Sequence, residues 1–160
     1  MISIRREESF TPNTLFKTEV VMRITLESDY ALRIVTVLGE HGGRLDAKSL
    51  SEATSVTPRF TLKILHKLVV GNIVTSFKGV NGGYVLAVPT TQLTLKNVIE
   101  LIDGPIAIAR CIESESGCAL NYDKTACAYH HIFDSLSYDL ANKLDKITIS
   151  DVINRTYKIL

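Results

Sequence analysis

SEATSVTPRFTLKILHKLVVGNIVTSFKGVNGGYVLA, residues 51–87, is the stretch from which the fold can be read. Thr54-Ser55-Val56 reads as a short turn. Thr57-Pro58 then opens a helix, with Thr placed to cap the free N–H groups and Pro in the first helical position, where its missing N–H is harmless. Leu62, Leu65, Leu68 and Val69 form an apolar stripe, and Gly71 is the expected C-terminal stop. Ile73-Val74-Thr75-Ser76-Phe77-Lys78 is rich in β-branched residues. Gly79-Val80-Asn81-Gly82-Gly83 is a turn, and Tyr84-Val85-Leu86-Ala87 is a return strand, so the pair predicts a β-hairpin.

Working upstream, Asp46 is a good N-cap for a short helix burying Leu50 and Ala53. From Glu27, Tyr30, Ile34, Val37 and Leu38 recur at helical spacing, and Gly39, Gly42 and Gly43 close that helix. Residues 1–21 are broken by Pro12 and Asn13 and are expected to be a loose tail, with Met22 a possible start. Two helices, a short turn, a capped third helix and a hairpin is the order of a winged helix-turn-helix. The expected fold is therefore mainly α with a small β-hairpin wing, over residues 22–90.

In such a motif the third helix enters the major groove of DNA, its N-terminal residues nearest the base edges. Opposite the leucine stripe it carries Arg59, Thr61, Lys63, His66 and Lys67. Arg59 is placed to reach a guanine edge or a phosphate, and Thr57 with the early N–H groups suits a phosphate oxygen. Lys63 and Lys67, four apart, read as phosphate contacts. At the hairpin tip Lys78, Asn81, Gly82 and Gly83 look like a wing that approaches a groove closely. The 160 residues carry a net charge of +1, but it is uneven. Residues 22–90 hold eight Lys and Arg against five Asp and Glu, whereas residues 91–160 hold seven against nine.

Downstream, Thr94 caps a helix through Ile102, closed by Asp103-Gly104-Pro105. A loop follows, RCIESESGCALNYDKTACAYHH (110–131), with Cys111, Cys118 and Cys127 spaced C-x6-C-x8-C. Three thiols so close together, in a chain with no other cysteine, argue against a disulfide framework and for soft-metal chemistry: iron–sulfur, zinc or copper(I). A fourth ligand has to be another residue type, with His130, His131 or a distant carboxylate available. The absence of tight CxxC pairs disfavours a zinc ribbon. Tyr129, Phe133, Leu136, Leu140 and Leu144 then form a narrow heptad-like seam on a long helix, which needs a partner, either the first half or a second copy. Thr148 and Asp151 look like the cap of a last helix, Val152–Lys158.

No apolar run reaches the roughly 18 residues of a membrane span, and the first residues hold no secretory pattern; a cytoplasmic protein with no membrane partner is expected. No nucleophile–base pairing and no phosphate-binding glycine loop stand out, so no enzyme is expected.

The stretches MRITLESDYALRIVTVLGEHGG (22–43), TPRFTLKILHKL (57–68), SFKGVNGGYVLA (76–87), VIELIDGPI (98–106) and ITISDVINR (147–155) together resemble the Rrf-type winged-helix transcription regulators, in particular their IscR-like and NsrR-like iron–sulfur members. The resemblance implies a regulator, expected to be a repressor, that binds a double-stranded DNA operator as a homodimer joined by the long helix carrying the Tyr129–Leu144 seam, with residues 91–160 forming the cluster-binding loop and dimerisation helices. It implies an iron–sulfur cluster, 2Fe–2S or 4Fe–4S, on Cys111, Cys118 and Cys127. The fourth ligand is His130 in the IscR-like pattern, or Asp29 of the other subunit in the NsrR-like one. The alternative is a cluster-free thiol or zinc module that acts through a metabolic enzyme partner.

Overall fold

Helix α1, Leu26–His41, is the hub of the molecule. Thr25 caps it by accepting from the Ser28 N–H, and Gly42, at φ +66°, ends it by donating to Leu38 O. Its inward face is Ala31, Ile34, Val35 and Leu38, all buried. A computed structural model describes residues 24–113 and 123–157. The expected tail of residues 1–21 and Cys118 lie outside the described residues.

Around α1 stand α2 (Ala47–Thr54), α3 (Pro58–Val70), the strands β1 (Val74–Phe77) and β2 (Gly83–Leu86), and then α4 (Leu95–Asp103). A short turn of helix, α5 (Arg110–Glu113), a 3-10 turn (Lys124–Ala126), the long α6 (Ala128–Asp145) and α7 (Ile149–Asn154) follow among the described residues. This is a mostly helical winged helix-turn-helix with one antiparallel hairpin, as the order of signals in residues 51–87 implied. No helix among the described residues is long and apolar enough to cross a membrane.

The α2–α3 turn is held by hydroxyls. Ser51 Oγ donates to Val56 O at 2.6 Å, and Thr61 Oγ1 donates to the same carbonyl at 3.3 Å. One buried acceptor thus receives a bond from each helix, and Ser55 takes the left-handed conformation between them (φ +55°). Thr61, expected on the DNA side, is therefore wholly buried, and Leu62, expected in the core, is 51% exposed. The inward stripe of α3 is Thr61, Ile64, Leu65 and Leu68. A similar exchange occurs on α2. Thr54, not Ala53, faces the core, its hydroxyl satisfied by Leu50 O at 2.6 Å.

One cap differs from expectation and one matches it. Thr57 makes no side-chain cap bond to α3, and its contribution is the backbone carbonyl that accepts from Thr61 N. Gly71 ends α3 at φ −80°, and the left-handed residue is Asn72. A Cβ at 71 would lie 2.3 Å from the Leu101 side chain of α4, which would have to turn aside to admit it.

The hairpin pairs Val74 with Leu86 and Phe77 with Gly83. On its other edge Tyr84 exchanges both backbone hydrogen bonds with Leu45, at 3.0 and 2.8 Å. Gly83 sits at that crossing with φ +144°, and a Cβ on it would meet Leu45 O at 2.7 Å. Gly83→Ala is expected to cost about 1–3 kcal/mol, since backbone strain and a clash with fixed backbone act together. Urea denaturation would check this, and an unchanged midpoint would show that the Leu45–Tyr84 bridge contributes nothing.

The second half of the chain completes the core of the first. Val98 and Ile102 of α4 and Ile149 of α7 are buried in one cluster with Ile34, Leu65 and Leu68. Leu95 N donates to Ile147 O and Ile149 N to Leu93 O, which ties the head of α7 to the head of α4. Both heads carry capping boxes, Thr94 with Asn97 and Thr148 with Asp151. Helix α7 ends at Asn154, earlier than the expected Lys158.

Candidate DNA-reading face and cysteine site

With Thr61, Ile64, Leu65 and Leu68 locked inward, α3 turns Arg59, Leu62, Lys63, His66 and Val70 to solvent. Arg59 lies in the first turn, and among the described residues no carboxylate pairs with it. Phe60 is exposed but anchored on one side, where it meets Tyr30 of α1 edge-on, ring centroids 6.0 Å apart. Lys63 and Lys67 are both bound to Glu27 of α1, one to each carboxylate oxygen, Lys67 at 2.6 Å. Hydrogen bonds from Lys63 and then Lys67 hold the Glu27 carboxyl below the usual carboxylate range. Sequence reasoning missed Glu27, because its partners lie 36 and 40 residues away.

The wing stands beside this face. Lys78, Gly79, Val80 and Asn81 are exposed at its tip. Arg44, also missed, fixes the tip from below. Its guanidinium lies 3.8 Å above the Phe77 ring, and Nη1 donates to Asn81 O at 2.7 Å. Gly82 N donates to Gly79 O at 2.9 Å, and a Cβ on Gly82 would strike that carbonyl and Phe77 O. The glycines of the tip therefore close a tight loop and keep the backbone itself at the surface.

The cysteine site lies at the far end of the chain's path. Cys111 is on α5, and Cys127 is the residue at which α6 begins; both are half-buried free thiols. Helix α5 packs against α6. One turn into α6, His130 has a buried Nδ1 with no hydrogen-bond partner. Its neighbour His131 is engaged, with Nε2 2.8 Å from Thr125 O. Asp29, the other candidate ligand, is paired with Arg33 at 2.7 Å on the surface of α1. Among the described residues no group of three His, Cys, Asp or Glu is gathered about one point.

Beyond these groups α6 buries only Ser137, whose hydroxyl donates to Phe133 O (2.6 Å) and accepts from Ile108 N (3.0 Å). Tyr129, Ile132, Leu136 and Leu140 stay exposed, whereas Phe133 and Leu144 lean toward their own chain. The expected five-residue seam thus splits, and Ile132 joins its outer part.

A family model described as Rrf2, an iron-dependent transcriptional regulator, matches residues 24–155. The chain is 30% identical over 133 residues to a Mycobacterium tuberculosis protein assigned as an HTH-type transcriptional regulator, covering 82% of this chain and 81% of that one. It is 27% identical over 135 residues to the HTH-type transcriptional regulator IscR of Cronobacter sakazakii, covering 83% and 81%. Two solved structures share the fold. One is CymR (YrzC), the global cysteine regulator of B. subtilis, with a TM-score of 0.69, 20% identity, and 86% of this chain and 100% of that one covered. The other is T. potens IscR, with a TM-score of 0.68, 17% identity and coverage of 85% and 89%.

Proposed function

Since this chain belongs to the Rrf2 family of transcriptional regulators, we propose that it is a homodimeric repressor of the cytoplasm whose hold on a dyad-symmetric DNA operator is set by an iron–sulfur cluster. The observation that carries the DNA half is the exposed Arg59–His66 face of α3, on a helix whose opposite face is locked into the core and whose neighbour is a pinned wing. Arg59 sits where a base edge can be reached, and Lys78 and the wing backbone of Asn81 and Gly82 serve the adjacent groove, whereas Gly83, expected at the groove, is buried against Leu45. Thr57 N–H and the first turn of α3 serve a phosphate.

Arg59→Ala is expected to weaken specific binding by ~1–3 kcal/mol and relax preference at one base pair. Anisotropy titrations on an operator selected from random duplexes read this. A loss equal on all sequences assigns Arg59 to phosphate, and no loss removes it from the interface.

The sensing half is supported by the orphaned His130 Nδ1 one turn from Cys127. A buried imidazole nitrogen without a partner suits a metal, and two or three thiolates with one imidazole form a soft donor set that fits iron–sulfur ligation. Cys111, Cys118, Cys127 and His130 would hold the cluster. When bound, it supplies iron–sulfide bonds open to oxidation, nitric oxide or iron loss. What the chain's own residues contribute is leverage. Helix α6 runs about 27 Å from Cys127 to Asp145, and Asp145 accepts from Thr94 Oγ1 at the head of α4. Helix α4 packs on α1, and α1 holds α3 through Glu27. A shift at Cys127 or His130 thus has a path of rigid contacts to the reading helix.

A second reading is a cluster-free thiol switch that acts with an enzyme partner. The shared fold with a global cysteine regulator favours it. Iron and acid-labile sulfide counts separate the two.

A further inference from the structure

Glu27 belongs to α1, but its carboxylate serves α3. One oxygen accepts from Lys63 Nζ and the other from Lys67 Nζ, the latter at 2.6 Å. The two lysines are one turn apart on the same flank of α3, so a single carboxylate spans both. Glu27 is the most enclosed of the three, its side chain 26% exposed. Among the described residues, Arg59 is then the one lysine or arginine of α3 without an ion pair.

We infer that Glu27 is a selectivity residue: by clamping Lys63 and Lys67 it withholds two cations from sequence-independent phosphate contact, leaving base reading to Arg59 and its exposed neighbours. The inference rests on the proposal that α3 binds DNA. Its physical basis is that attraction to any duplex comes from lysines and arginines that neutralise phosphates. Each such contact adds about 0.9 to the salt slope of binding. A lysine already held by a carboxylate must give up that partner to gain a phosphate, so its net contribution is small. Non-specific affinity falls while Arg59 is untouched, and the ratio of specific to non-specific binding rises.

The test uses the full chain and a random-sequence duplex across a potassium chloride series, with thermal unfolding of every variant. Glu27→Gln is expected to bind the random duplex roughly tenfold tighter at low salt and to steepen the slope by up to about 2. Adding Lys63→Met and Lys67→Met to Glu27→Gln is expected to return the slope to the wild-type value. The same two methionines in the wild-type background give a readout should Glu27→Gln fold poorly. There the slope is expected to stay nearly constant, because the lysines were withheld already; a fall of about 2 overturns the inference. A folded Glu27→Gln protein that binds the random duplex with the wild-type slope, or more weakly, also overturns it and reduces Glu27 to a tether between α1 and α3. Wild-type protein that binds no duplex at any salt overturns the DNA reading itself, a result distinct from equal slopes in a protein that does bind.

Discussion

Leu136→Asp with Leu140→Asp is expected to leave a folded monomer that binds its operator on the order of 10²- to 10⁴-fold more weakly. The expectation follows from how little α6 gives to its own chain. Over 18 residues it buries Ser137 alone, while Tyr129, Leu136 and Leu140 are 72%, 47% and 42% exposed. With Ile132 between them, these residues make one continuous apolar stripe, and a stripe of that kind on a surface helix calls for a partner. A second copy of the same helix matches it by symmetry. Two linked reading helices engage two half-sites at an effective concentration near the millimolar range, which a monomer forfeits. Because both leucines are solvent-facing in the single chain, aspartate there should not disturb the core. Analytical ultracentrifugation with circular dichroism decides it. A double variant that still sediments as a dimer would place the interface off this stripe.

The second large effect is on metal content. Wild-type protein purified without oxygen is expected to be brown, with iron and acid-labile sulfide present together. The protein with Cys111→Ser, Cys118→Ser and Cys127→Ser is expected to be colourless and dimeric, with operator binding that no longer responds to oxidant or nitric oxide. His130→Ala is expected to change the visible spectrum, because its Nδ1 lies one turn from Cys127 and has no other partner. Asp29→Ala is expected to leave the spectrum alone, because Asp29 is paired with Arg33 of its own helix. Air-protected wild type that holds neither iron nor sulfide, even after reconstitution, sinks the cluster proposal. Zinc, or no metal, with tight binding to a protein partner favours the thiol switch.

What could be read from the sequence was local. Asp46, Thr94 and the Thr148–Asp151 pair stand where helices begin, because capping is a matter of three or four consecutive residues. The hairpin was legible because β-branched runs and a glycine turn adjoin. The facing of α3 was less so. Leu62 and Leu65 are equally apolar, and Thr61 can share the inward face with Leu65 and Leu68 because Val56 O accepts its hydroxyl. Thr54 displaces Ala53 on α2 in the same way. Gly71 is the stop its position announced, but its closeness to the Leu101 side chain thirty positions on could not be read. Glu27 and Arg44, which govern the charge of α3 and the pose of the wing, act through contacts distant in sequence, and no periodicity announces them. Cys111 and Cys127 were visible as members of a cluster of thiols, but their half-burial on α5 and at the head of α6 was not.

The short α7 bears on how such proteins can diversify. Ile149 seals the same interior as Ile34, and Thr148 is bonded across to the head of α4. The chain therefore leaves the DNA-reading half along α6 and comes back to finish it. Recombination that exchanged everything after residue 90 for a foreign sensor cassette would open a hole beneath α1 unless the incoming piece brought an equivalent plug. Exchange confined to residues between α5 and α6 would leave this plug, and with it the core beneath α1, in place.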